Sequence, residues 1–187
     1  MAEHRVCPWW LGYTFISPIR RWMIEKPEEL FAGYLQEGMT VLEPGPGMGF
    51  FTLPMAKMVG AKGRVIAVDI QAKMLEVLER RARKAGLSGR IETRLAKAGS
   101  MDTGDLKGAV DFALAFAMVH EVPSPAEFFA AMATALKPRQ ILFFAEPVGH
   151  VSGEDFNHEL EVAQRAGFEI AARPRVRRSQ AVALRKC

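Results

Sequence analysis

Residues 39–49 read MTVLEPGPGMG, an apolar run that passes into a glycine-rich turn. Met39 to Glu43 is a short apolar run between Gly38 and a turn-rich segment. That pattern predicts a buried parallel strand ending near Glu43. After the glycines, FFTLPMAKMV predicts a short helix with Pro54 near its first turn, where the missing N–H costs little. Arg64 to Asp69 (RVIAVD) predicts a second strand. Met74, Leu75, Leu78, Ala82 and Ala85 then recur at helical spacing, and Gly86 closes the helix.

The alternation continues through IETRLA and VDFALAFAMV. Ser124, Pro125 and Glu127 set a capping hydroxyl, a first-turn proline and a capping-box carboxylate in order, so a helix starts there, and Pro138 marks its stop. QILFFAEP is the fifth strand. Ser152 caps a further helix, which carries Phe156, Leu160 and Ala163 on one face and ends at Gly167. EIAARPRVR and QAVALRK close the chain as strands, and Pro174 sends the first of them to a sheet edge. The expected fold is α/β: a single Rossmann-like, doubly wound, mostly parallel sheet with a C-terminal antiparallel hairpin. Residues 1–38 form a separate N-terminal helical or lid segment, and residues 39–187 the ligand-binding domain.

The bulk properties suit one globular domain. The 187 residues can bury a full core, and 49% hydrophobic with 25% charged content excludes a disordered chain. The N-terminus lacks the pattern of a secretory leader, and no run approaches a membrane span, so the expectation is a cytoplasmic protein. Cys7 and Cys187 have neither CxxC spacing nor a partnering histidine, and read as reduced thiols. Residues 173–187 hold six of the 25 basic residues and none of the 21 acids. No aromatic stacking platform accompanies that charge, which disfavours nucleic acid as a partner and suits a solvated sheet edge.

In open α/β sheets, ligands bind beyond the carboxyl ends of the strands. The first strand ends in Glu43-Pro44-Gly45-Pro46-Gly47-Met48-Gly49, where glycines permit a tight turn and close backbone approach to a ligand. The second ends in Asp69, 24 residues after Gly45, a carboxylate suited to both hydroxyls of a ribose. A nucleoside-containing cofactor follows. A dinucleotide fingerprint would need glycine where Phe50 stands, and Tyr13 and Tyr34 lie outside any YxxxK context, which disfavours the alternative of an NAD(P)-dependent oxidoreductase.

GxGxG, the preceding acid Glu43 and the acid ending strand two together resemble the class I S-adenosylmethionine-dependent methyltransferases. The resemblance spans roughly residues 39–172 and is nearest to the small-molecule enzymes of the ubiquinone/menaquinone type. It implies that S-adenosylmethionine is the cofactor. It also implies that Gly45, Pro46, Gly47 and Gly49 cradle the methionine part, that Glu43 lies near its amino group, and that Asp69 holds the ribose. Ile70 would pack on the adenine, Ala98 would lie at the adenine amine, and Phe116 and Ala117 would line the pocket. Many members carry Asp in the loop where this chain reads Ala96-Lys97-Ala98-Gly99-Ser100, so backbone atoms or Ser100 would make that contact.

His120 follows strand four and titrates in the useful range; it reads either as a general base or as a loop histidine held by a hydrogen bond. Glu146 and His150 follow strand five, and with His120 they form either a substrate-orienting polar cluster or, less readily, a metal site. Trp9, Trp10, Tyr13 and Phe15 serve either as a lid, with Tyr13 at the substrate, or as anchors of a first helix. The expected acceptor is a small molecule. A non-catalytic S-adenosylmethionine-binding module is the remaining alternative.

Overall fold

The structure, a computed structural model, describes residues 26–97 and 101–187. These residues form two compact units that meet in sequence between Asp102 and Thr103, with three strands in the first and four in the second. No helix among the described residues is long and apolar enough to cross a membrane.

The first unit begins with the single turn α1 (Pro27–Leu30) and continues through β1 (Thr40–Pro44), α2 (Thr52–Met58), β2 (Arg64–Asp69), α3 (Ala72–Lys84) and β3 (Ile91–Leu95). Its strands lie in the order β3-β2-β1 and are parallel, with Glu43 opposite Ala67 and Asp69 opposite Leu95. Strands β1 and β2 are apolar on both faces because both faces are covered: Val41, Leu42, Val65 and Ile66 have no exposed surface. Pro54 is the third residue of α2, where a missing N–H breaks no helical hydrogen bond. Helix α3 buries Met74, Leu75, Leu78 and Ala82 as expected, but also Val77, while Ala85 is exposed. The helix ends one residue earlier, at Lys84, so Ala85 leaves the face, and Gly86 turns the chain at φ +68°.

The second unit contains β4 (Val110–Phe116), α4 (Pro125–Ala135), β5 (Leu136–Pro147), α5 (Gly153–Arg165), β6 (Phe168–Ala172) and β7 (Ser179–Lys186). Its strands follow the order β4-β5-β7-β6, with β4 and β5 parallel and β7 antiparallel to both β5 and β6. The closing hairpin is therefore present, and β6 is at the sheet edge, although Pro174 lies just past the strand's end. Both helix starts use the expected serines. Ser124 Oγ accepts from the Glu127 N–H at 3.2 Å, and Ser152 Oγ from the Asp155 N–H at 3.1 Å.

The fifth strand differs from its expected start at Gln140. It begins at Leu136, directly after α4, and Pro138 lies inside it. A register shift explains this: Val110 faces Leu136, yet Phe112 faces Ile141, so β5 bulges across Pro138 and Arg139, the latter at φ +65°. A bulge is where a strand tolerates the absent proline N–H.

Candidate functional site

In the first unit the site is built around the end of β1. Gly45, Gly47 and Gly49 adopt φ values of +64°, +55° and +83°, which side chains resist and glycine does not. The Gly45 N–H donates to the Val68 carbonyl at 2.9 Å and ties the loop to β2, while the Gly49 N–H closes a turn onto Pro46. The glycines differ in their surroundings. A Cβ on Gly49 would run into Leu78 and Leu53, whereas one on Gly47 would meet nothing within 4 Å. Gly49 lets the loop pack on α3, and the space beside Gly47 is open. From α3 the Arg81 guanidinium donates to the Met48 carbonyl and holds the loop from the other side.

Glu43 is 3% exposed, and Thr52 Oγ1 donates to its Oε2 at 2.5 Å. Burial pushes its carboxyl up to about 8; Asp69 adds to the rise and the Thr52 hydrogen bond opposes it. Asp69 is also buried, and its Oδ1 accepts from the Gln71 N–H at 2.9 Å. Ile70, the next residue, is 42% exposed, an apolar side chain presented at the strand's end. Ala98 and Ser100 lie outside the described residues, as do Trp9, Trp10, Tyr13 and Phe15.

In the second unit Glu146, at the end of β5, has no exposed surface. Its Oε1 accepts from the backbone N–H groups of Val119 and His120, at 2.8 and 3.3 Å, and its Oε2 lies 2.6 Å from His120 Nδ1. The short helical turn Val119–Glu121 is thus anchored at both backbone and ring. The hydrogen bond to Glu146 raises the imidazole pKa, partial burial works against it, and the negative charges of Glu146, Glu121 and Glu159 reinforce the rise. Because Nδ1–H faces a carboxylate, the free lone pair belongs to Nε2. The His150 ring is 6.0 Å from that of His120, so the three residues singled out after strands four and five do come together. Among the described residues, no group of three or more His, Cys, Asp or Glu is placed to hold a metal ion. Phe116 is half-buried, and Ala117 turns the chain at φ +56° with its N–H on the Ala145 carbonyl.

Three residues escaped the sequence reading. Thr52 acts through a single hydrogen bond to Glu43 and Arg81 through one to the glycine loop, and no periodicity announces either. Glu159 was legible: it occupies the i+3 position of the stripe formed by Phe156, Leu160 and Ala163, and a carboxylate on an apolar face is a signal in itself.

A family model described as a methyltransferase domain matches residues 35–173. The chain belongs to that family. It is 30% identical over 147 residues to a ubiquinone biosynthesis O-methyltransferase of Methylocella silvestris, covering 77% of this chain and 54% of that protein. A ubiquinone/menaquinone biosynthesis C-methyltransferase of Salmonella arizonae is 26% identical over 141 residues, covering 73% and 55%. The chain thus spans about half the length of these relatives. Among solved structures, a SAM-dependent methyltransferase from Aquifex aeolicus superposes with a TM-score of 0.85 at 24% identity, covering 97% of this chain and all of that one. The methyltransferase domain therefore has the Rossmann-like α/β fold, with its mostly parallel sheet and antiparallel C-terminal strands.

Proposed function

We propose that the chain is an S-adenosylmethionine-dependent methyltransferase acting on a small hydroxylated acceptor, with residues 39–187 as its catalytic domain and cytoplasmic in location. One observation carries the cofactor reading: a buried, underpartnered carboxyl, an open glycine edge and a buried aspartate all lie at the ends of two paired strands. These residues fit the cofactor's chemistry. Glu43 meets a single donor and suits an ammonium, the Gly47 edge admits close approach, Asp69 suits a ribose diol, and Ile70 offers an apolar face to an adenine. When bound, the cofactor supplies an electrophilic methyl group on a sulfonium. The biosynthetic relatives named above support a small acceptor.

His120 is the proposed base. Glu146 holds the ring by Nδ1 and favours the cationic form, so Nε2 can take the acceptor hydroxyl proton as the methyl passes to that oxygen. The products are a methyl ether, a neutral thioether and an imidazolium that returns its proton to solvent. His150 and Tyr13 serve as acceptor contacts in this reading, and the N-terminal segment of residues 1–38 as a lid. The exposed C-terminal arginines do not direct the acceptor choice toward nucleic acid.

Calorimetry tests the cofactor half directly. S-adenosylmethionine should bind with a dissociation constant in the micromolar range, about −8 kcal/mol. Asp69→Ala should weaken it by roughly two orders of magnitude, as expected for loss of charge-assisted hydrogen bonds. Absence of binding by both S-adenosylmethionine and its demethylated product would remove this reading, and NAD binding would replace it with the oxidoreductase.

A further inference from the structure

Two buried carboxylates in the second unit have opposite provisions. Glu146 meets three N–H donors, two from backbone and one from His120, so both its oxygens are engaged. Glu159 is 7% exposed, and its Oε2 is buried without a hydrogen-bond partner among the described residues. The placement follows from periodicity. Phe156 of α5 stacks on Phe144 of β5 with ring centroids 5.1 Å apart. Glu159 is one helical turn beyond Phe156, and Glu146 is two residues beyond Phe144 on the same strand face. Both acids therefore enter the layer between α5 and β5.

We infer that Glu159 is a positioning residue for the His120–Glu146 pair, a buried carboxyl that exchanges its proton in concert with His120. Its importance for the reaction rests on His120 being the base proposed above. Two negative charges in one buried layer oppose each other, and the carboxyl whose Oε2 meets no donor is the one that takes up a proton more readily. The charges that act on Glu159 are those of Glu146 from β5, His120 from the turn after β4, and Asp155 from its own helix. Helix α4 and strand β6, which also pack against α5, bring the apolar Phe128, Phe129, Met132 and Phe168.

Burial first, then Glu146 and Asp155, push the Glu159 carboxyl up to about 7, while His120 opposes the rise. The coupling is reciprocal, since Glu159 is also among the charges that raise His120. A proton arriving on His120 thus favours release of the proton on Glu159, and the buried net charge stays nearly constant through the transfer. The acid acts on the base through charge, without touching the acceptor.

The test uses the ligand-free full chain, so it stands or falls apart from cofactor binding and methyl transfer. Imidazole resonances of His120 are followed by NMR across pH 5–9 in the wild type, Glu159→Gln and Glu159→Asp. The wild type should titrate over a broadened, two-step range. Glu159→Gln should give one simple curve with its midpoint lower by roughly half a unit to one unit, and Glu159→Asp should restore the broadening. Superimposable wild-type and Glu159→Gln curves would overturn the inference. Should Glu159→Gln fail to fold, carboxyl-labelled wild-type protein reads the Glu159 titration itself. A midpoint near 7 supports the role, and one in the ordinary carboxylate range ends it.

Discussion

Each unit of the molecule ends a parallel strand in a buried glutamate, and the two are solvated by the protein in contrasting ways. Glu43 ends β1 with a single hydroxyl donor from Thr52 and with Asp69 nearby. Glu146 ends β5 with two backbone N–H groups and an imidazole. Burial is nearly complete for both, so burial does not separate them; the number of donors does. A carboxyl with one donor is left wanting a cation from outside, whereas one with three donors has become part of the scaffold. The first provision leaves a carboxyl open to a further donor, and the second holds the His120 ring in place.

The largest effect should come from breaking the well-provided glutamate. Glu146→Ala strands two backbone N–H groups and leaves the His120 ring without its partner, which should cost about 3–5 kcal/mol of stability. Urea unfolding measures this, and a loss under 1 kcal/mol would show that Glu146 is not the anchor. Glu146→Gln keeps an oxygen for the backbone donors but removes the charge facing Nδ1. It should fold, while methyl transfer falls by about two orders of magnitude and the His120 midpoint moves down. The sign is fixed by the hydrogen bond to Glu146 being the leading cause of the raised imidazole pKa.

The underprovided glutamate should respond in the opposite sense. Its folded carboxyl stands at about 8 against an ordinary value of 4.5, so the folded chain holds this proton more tightly than the unfolded one. The stability this proton contributes is complete below pH 4.5 and is lost as the pH rises toward 8. Glu43→Gln removes the decline, and across pH 5–8 the variant should gain stability relative to the wild type, by at most about 1.4 kcal/mol per pH unit. Thermal unfolding at several pH values checks this; parallel curves for the two proteins would show that Glu43 does not titrate in that window. The same substitution should weaken S-adenosylmethionine by about tenfold, through loss of one charge-assisted contact.

The contrast between the two glutamates was half visible in the sequence. Strand ends, the glycine loop and the acids Glu43, Asp69 and Glu146 follow from period and turn chemistry, since apolar runs and glycines report directly on burial and backbone conformation. The pairing of Glu146 with His120 was legible only as a shared strand edge, because it depends on how the turn Val119–Glu121 folds back by 27 residues onto β5. Thr52, the one donor to Glu43 among the described residues, was invisible nine residues away across the glycine loop, because a helix-start threonine reads the same with or without a buried partner. The bulge at Pro138 and Arg139 was hidden for a related reason. Proline there stops a helix, and only the register against β4 shows the chain continuing as strand.

The smallest effect is also the most specific to a binding role for Glu43. At pH 7 a carboxyl standing at about 8 is mostly protonated, so an arriving ammonium finds a neutral partner. The ammonium favours the ionised form, and the proton must leave as the complex forms. Binding of S-adenosylmethionine at pH 7 should therefore release about one proton, read as the slope of apparent enthalpy against buffer ionisation enthalpy in calorimetry. Glu43→Gln, still binding at reduced affinity, should release close to none. Equal release by both proteins would place the cofactor's amino group elsewhere, and the single-donor environment of Glu43 would then belong to packing rather than to recognition.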